Sequence, residues 1–207
     1  MRSRFLIVLA LIFLSSLAFA NTVNVSMTFL YPGGNNSGGY YTYPYYFSIN
    51  GESPTPLMCD SFANHVTQGE SWTARVTGLL QGKGMFGKNG LDYKAAGIIY
   101  LGVLHGTIDA NLGSWAVWNL FTSGITSDPT VLALDQNALH QAKHTPRGAF
   151  KGLVLYTPLG AKPGSGPQEY IGYNPGFMST PEPTSLLLLS SGLLGIAGVV
   201  RKKFAHS

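Results

Sequence analysis

The sequence predicts an α+β protein: a β-rich, sandwich- or barrel-like body with an inserted helical middle, flanked by a cleavable N-terminal signal peptide and a C-terminal transmembrane helix. Three observations carry this. The body opens with period-two alternation in "TVNVSMTFL", where Val23, Val25, Met27 and Phe29 share one face of a strand. From Leu91 the pattern changes to apolar runs too long for strands. The 207-residue chain also holds 26 Gly, 11 Tyr and 11 Phe but only 11% charged residues, the balance of a folded aromatic body rather than a disordered one.

At the front, Arg2 and Arg4 precede an apolar run from Phe5 to Leu14, followed by Ala18-Phe19-Ala20. A charged start, an oily middle and an A-x-A site are the three parts of a secretory signal peptide, so residues 1–20 are read as one and the exported body as 21–178. After the first strand, "PGGNNSGG" supplies a turn or loop. Tyr40 to Gly51 is aromatic and β-prone, with Pro44 marking an edge or a bulge. "TPLMCDSF" and "SWTARVTGLL" give two further strands, the second alternating Trp72, Ala74 and Val76 against Thr73, Arg75 and Thr77.

Leu91 to Gly106 reads as a buried helix flanked by Asp92 and closed by Gly106. "DANLGSWAVWNLF" reads as a second, capped by Asp109 or Asn111, with Leu112, Trp115, Trp118 and Phe121 or Leu120 turned inward. "DPTVLALDQNALHQAKH" gives a third, opened by a proline. "KGLVLYTPL" and "QEYIGY" close the body as strands. "GKGMFGKNG" lacks the Ser/Thr and the preceding strand of a phosphate-binding loop.

The net charge of +4 does not describe the body. Setting aside Arg2, Arg4, Arg201, Lys202 and Lys203 leaves 8 of the 13 Lys and Arg, and setting aside Glu182 leaves 8 of the 9 acids. The body is formally neutral, which argues against a nucleic-acid partner.

Few residues point to chemistry. Cys59 is the only cysteine, so no intrachain disulfide staples the body. It reads first as a small buried hydrophobe and second as a thiol nucleophile paired with His65. His140 and His144 share a helix face at metal-ligand spacing, but no HExxH glutamate and no third ligand accompany them, so no metal or cofactor is assigned. Asp60 and Glu70 are the one imaginable carboxylate pair, and nothing in the sequence sets their separation. Tyr40, Tyr41, Tyr43, Tyr45 and Tyr46 crowd into seven residues. They read as core and cross-strand rings or, through Tyr41, Tyr43 and Tyr45, as a carbohydrate-contact surface.

Two family resemblances add to this reading. Residues 179–207 run Pro181-Glu182-Pro183, then an apolar stretch from Leu186 to Val200 at the lower length limit for a membrane helix, then Arg201-Lys202-Lys203. That order resembles the PEP-CTERM sorting signal of Gram-negative bacteria. The resemblance implies recognition by an exosortase in the inner membrane, C-terminal processing, and a cell-surface or extracellular destination among exopolysaccharide. Separately, "LMCD" with a downstream "AVW" resembles the thioester domains of bacterial surface adhesins, with Cys59 at the cysteine and Ala116, Val117 and Trp118 at the end of the helix motif. The glutamine that such a domain joins to its cysteine is here Ser114, which has no carboxamide carbon, so the site is degenerate unless Gln81, Gln136, Gln141 or Gln168 reaches Cys59.

The expectation is therefore an exported, exosortase-sorted surface or matrix protein, not an enzyme, with a noncovalent structural or adhesive role near exopolysaccharide. Its partners are the exosortase and secretion machinery, exopolysaccharide, and the inner membrane before processing. The alternative is a covalent adhesin using a Cys59 thioester at a noncanonical Gln.

Overall fold

The computed structural model describes residues 22–177 apart from 35, 82–83 and 88–89. The expected signal peptide and the expected membrane-crossing tail lie outside the described residues. Among the described residues no helix is long and apolar enough to cross a membrane.

Six strands close a barrel: β1 (Val23–Pro32), β4 (Tyr45–Ile49), β5 (Thr55–Cys59), β8 (Tyr170–Tyr173), β7 (Leu153–Pro158) and β6 (Ser71–Gly78), in that spatial order, with β6 returning to β1. Every neighbouring pair is antiparallel. Of the sandwich-or-barrel alternatives, the body takes the barrel. Between β1 and β4 a small hairpin stands apart, β2 (Asn36–Ser37) with β3 (Tyr40–Tyr41). Its two-residue turn, Gly38-Gly39, has positive φ at both positions (61° and 86°), which only glycine adopts without strain.

Strand alternation sorts the apolar residues into two cores. Facing inward are Val25, Met27, Phe29, Tyr45, Phe47, Leu57, Cys59, Ala74, Val76, Val154, Tyr156 and Tyr170, a largely aromatic barrel filling joined by Trp118. Facing outward from β5, β7 and β8 are Met58, Leu153, Leu155 and Ile171, and onto these pack the helices. Those strands are buried on both faces, so β7 reads as an unbroken apolar run rather than an alternation.

Three helices are inserted between β6 and β7: α1 (Gly90–Leu104), α2 (Ala110–Phe121) and α3 (Pro129–His144). All three helices touch one another, and α1 is also packed against Leu79 and Leu153 on the barrel side, which explains its lack of a polar face. Its Gly97 lets the backbone lie close to the barrel: a Cβ there would stand 2.6 Å from Leu79 Cδ2 and 2.9 Å from Phe150 Cδ1. Asp109 caps α2, accepting from Asn111 N at 2.9 Å and Leu112 N at 3.0 Å, and Asp128 caps α3 ahead of Pro129.

One expectation is corrected. The deepest residues of α2 are Gly113, Ser114, Ala116, Val117 and Trp118, while Leu112, Trp115, Leu120 and Phe121 are only half-buried. α2 is wedged between α1 on one side and the barrel mouth with its hairpin on the other, so its small residues take the tightest contacts. A methyl group added in the α1–barrel contact, Gly97→Ala, overpacks it. Thermal unfolding is expected to show a loss of about 1–3 kcal/mol, and an unchanged midpoint would disprove this account of Gly97.

Candidate functional site

The hairpin β2–β3 is held against α2 by four contacts. Trp115 Nε1 donates to Ser37 Oγ at 3.1 Å, and a Cβ on Gly38 would lie 3.1 Å from the Trp115 ring. Thr42, fully buried, donates to Asn111 Oδ1 at 2.6 Å. Tyr43 N donates to Ser114 Oγ at 2.9 Å, while that hydroxyl donates to Ala110 O at 2.8 Å. Ser114 is thus a structural staple between α2 and the segment leading into β4.

This docking puts Tyr40 against Phe62, Trp115 and Trp118, with ring centroids at 4.9, 5.8 and 6.4 Å. Phe62 and Trp118 stand 5.4 Å apart. Beside this cluster, at the barrel mouth, opens a cavity of about 370 Å³ lined by the rings of Phe29, Tyr40, Tyr41, Tyr45, Phe62 and Trp118 and by His65, Thr67, Gln68 and Gln168. Among the described residues no Asp, Glu, Lys or Arg lines it. Its far wall is the 61–68 loop, fixed by Asn64: Nδ2 donates to Lys162 O and Gly166 O, both at 2.9 Å, and Oδ1 accepts from Gly164 N at 2.9 Å.

The tyrosines divide. Tyr41 is 52% exposed on the cavity rim. Tyr45 is buried in the cavity floor, its hydroxyl donating to Tyr41 O. Tyr43 turns the other way, its ring 5.8 Å from Tyr100 in the helical core, and does not line the cavity.

Cys59 is buried inside the barrel beside Trp118. Its thiol donates to Ser61 O at 3.7 Å, while His65 stands on the exposed cavity loop. Burial first, and then the neighbouring Asp60 carboxyl, push the thiol pKa up to about 12, with Ser61 and Trp118 offsetting part of the shift. At neutral pH it is a thiol and a poor nucleophile. Of the four alternative glutamines, Gln136 and Gln141 are exposed on α3. Gln81 lies beside Gly78 at the end of β6. Gln168 lines the cavity two residues before Tyr170, the β8 residue paired with Cys59, and accepts from the Tyr170 hydroxyl at 2.6 Å.

Asp60 and Glu70 do not pair as carboxylates. Glu70 accepts from Thr67 N at 2.8 Å in its own loop. Asp60 instead meets Glu169, and both are fully buried. Glu169 accepts from Tyr93 Oη at 2.6 Å, from Met85 N at 2.7 Å and from Thr157 Oγ1. Desolvation, then the Glu169 charge, holds the Asp60 pKa well above its ordinary range, so Asp60 keeps its proton beside Glu169. His140 and His144 lie 5.4 Å apart on the exposed face of α3, and among the described residues no cluster of three metal-ligating side chains forms.

Reading the sequence does not single out Phe62, Asn64 or Glu169. An isolated Glu at the head of an apolar closing strand is the one available signal for the last.

Asp60 makes a signed prediction. The folded state retains its proton where the unfolded chain, near the ordinary value of 3.8, has released it. Stability from this group is therefore present below that value and falls as pH rises toward the raised one. Asp60→Asn should flatten this loss and raise the urea midpoint at neutral pH relative to acid pH. A parallel pH dependence in the two proteins would refute the assignment.

No curated protein and no solved structure matches the chain. Residues 179–202 match the PEP-CTERM protein-sorting motif. By that tail, which contains Pro181, Glu182, Pro183, Arg201 and Lys202, the chain is an exosortase substrate, an exported protein destined for the cell surface or the extracellular space.

Proposed function

We propose that this sorted surface protein binds polysaccharide noncovalently at the barrel mouth and serves an adhesive or structural role in an exopolysaccharide matrix. The observation that supports it is the aromatic-rimmed cavity beside Tyr40, Tyr41 and Trp118. Flat rings present apolar faces to the C–H side of a pyranose, while Gln68, Gln168, Thr67 and His65 offer hydroxyl partners around them. Catalysis is not part of the reading. Glycoside hydrolysis needs two carboxyl groups flanking the bond, and the cavity wall has none among the described residues. The test is affinity electrophoresis in exopolysaccharide from the producing cells, following Trp fluorescence in parallel. Tyr41→Ala should weaken retention by roughly tenfold, the loss expected of a rim aromatic anchor. Retention equal to wild type would remove the cavity from the account.

A second reading is favoured by one placement: Gln168 beside the β5–β8 pair that holds Cys59. Attack of the Cys59 sulfur on the Gln168 carboxamide carbon would form a thioester, release the amide nitrogen with the thiol proton as ammonia, and give a covalent adhesin. Intact mass of the protein released from cells decides between the two. A deficit of one ammonia, absent in Gln168→Ala, would support the covalent reading, and a full mass would leave the noncovalent one.

A further inference from the structure

We propose that the polysaccharide is acidic, and that its carboxylates are read at a basic cleft around Lys94, Lys143, Arg147 and Lys151, sharing no wall residue with the aromatic cavity. The inference rests on the polysaccharide-binding reading above and names the chemistry of the polymer.

Formal neutrality of the body conceals an imbalance. Three of its eight acids are buried: Asp60 and Glu169 at 0% exposure and Asp135 at 6%. Burial also drives the Asp135 pKa up to about 6, with the Asn119 amide at 2.7 Å opposing it in part. No described Lys or Arg is buried in the same way. Among the described residues six Lys and Arg and five acids remain outside the interior, and four of those six cations border two adjoining clefts.

The first cleft, about 260 Å³, is walled by Leu80, Leu91, Lys94, Lys143 and Arg147, and the second, about 330 Å³, shares Leu80 and Arg147 and adds Gln81 and Lys151. Among the described residues no Asp or Glu lines either. Two of the cations are fixed by carbonyls rather than carboxylates. Lys94 Nζ donates to Ala142 O at 3.1 Å and Thr145 O at 2.8 Å, and Arg147 Nη2 donates to Leu80 O at 2.8 Å. Lys94 and Lys143 also suit the negative end of α3, but Lys151 lies beyond that helix and serves no such purpose. Cations held apart by main-chain carbonyls, with no carboxylate of the protein among the described residues to satisfy them, suit the carboxylates of an acidic polymer better than a neutral sugar.

The test compares polygalacturonate with its methyl-esterified form, which has the same backbone without the charge, using the full processed protein. Lys143→Glu with Lys151→Glu alters two exposed side chains that hold no hydrogen bond in the fold. Wild type should bind polygalacturonate, bind the ester poorly, and lose affinity steeply between low and high salt. The double variant should bind at least about tenfold more weakly at low salt. Equal binding by the variant, equal binding of the ester, or equal binding of duplex DNA would overturn the proposal. If the cells' own exopolysaccharide is retained by wild type and double variant alike, this inference fails while the polysaccharide reading stands. If wild type retains no polymer at all, both fail.

Discussion

A carboxylate taken wholly out of water must be supplied with donors, and Glu169 draws them from three separated parts of the chain. Tyr93 comes from α1, Met85 from the loop before it, and Thr157 from β7. The Glu169 main chain extends the same junction, its N–H reaching Ser61 Oγ at 2.8 Å and its carbonyl accepting from Asp60 N at 3.2 Å. Barrel and helices are thus registered by a polar joint set among apolar residues, which tolerates fewer alternative packings than an oily interface would. The protonated Asp60 beside it is the cost of that joint, its carboxyl buried away from water against Glu169.

The barrel mouth depends on this joint at one remove. Registering α1 fixes α2, which packs on it, and α2 carries Ser114, Trp115 and Trp118. Those residues hold the hairpin down and so place Tyr40 and Tyr41 at the cavity rim. A serine hydroxyl that both accepts and donates suits this position, where a long amide side chain would have to displace Tyr43 from its bond. The close seating of α2 at Ser114 and the placement of the hairpin rings are two results of one residue choice.

Much of the architecture was legible because it depends on local period. Val25, Met27 and Phe29 announce a one-sided strand, and Asp109, Pro129 and Gly106 mark helix ends. Closure into a barrel was not legible, because the pairing of β8 with β5 joins residues more than a hundred positions apart. The site suffered the same limit. Tyr41 and Tyr45 could be picked out by their crowding, but crowding cannot tell that Tyr43, after the docking of Thr42, turns toward Tyr100. Asp60 was noticed but its partner could not be read, since register rather than sequence distance decides which acid it meets.

The position of β8 has a bearing on how such a chain is exported. β5 and β7 have no ladder partner on their facing edges until residues 170–173 are available, because β8 is the strand that lies between them. A chain threading a membrane channel from its N-terminus can pair β1 with β4 and β6 early, yet the cylinder stays open along one seam. Sealing falls to the last few residues ahead of the sorting tail. Closure of the barrel is thereby tied to the last strand before the sorting tail, the pairing of longest sequence separation with β5.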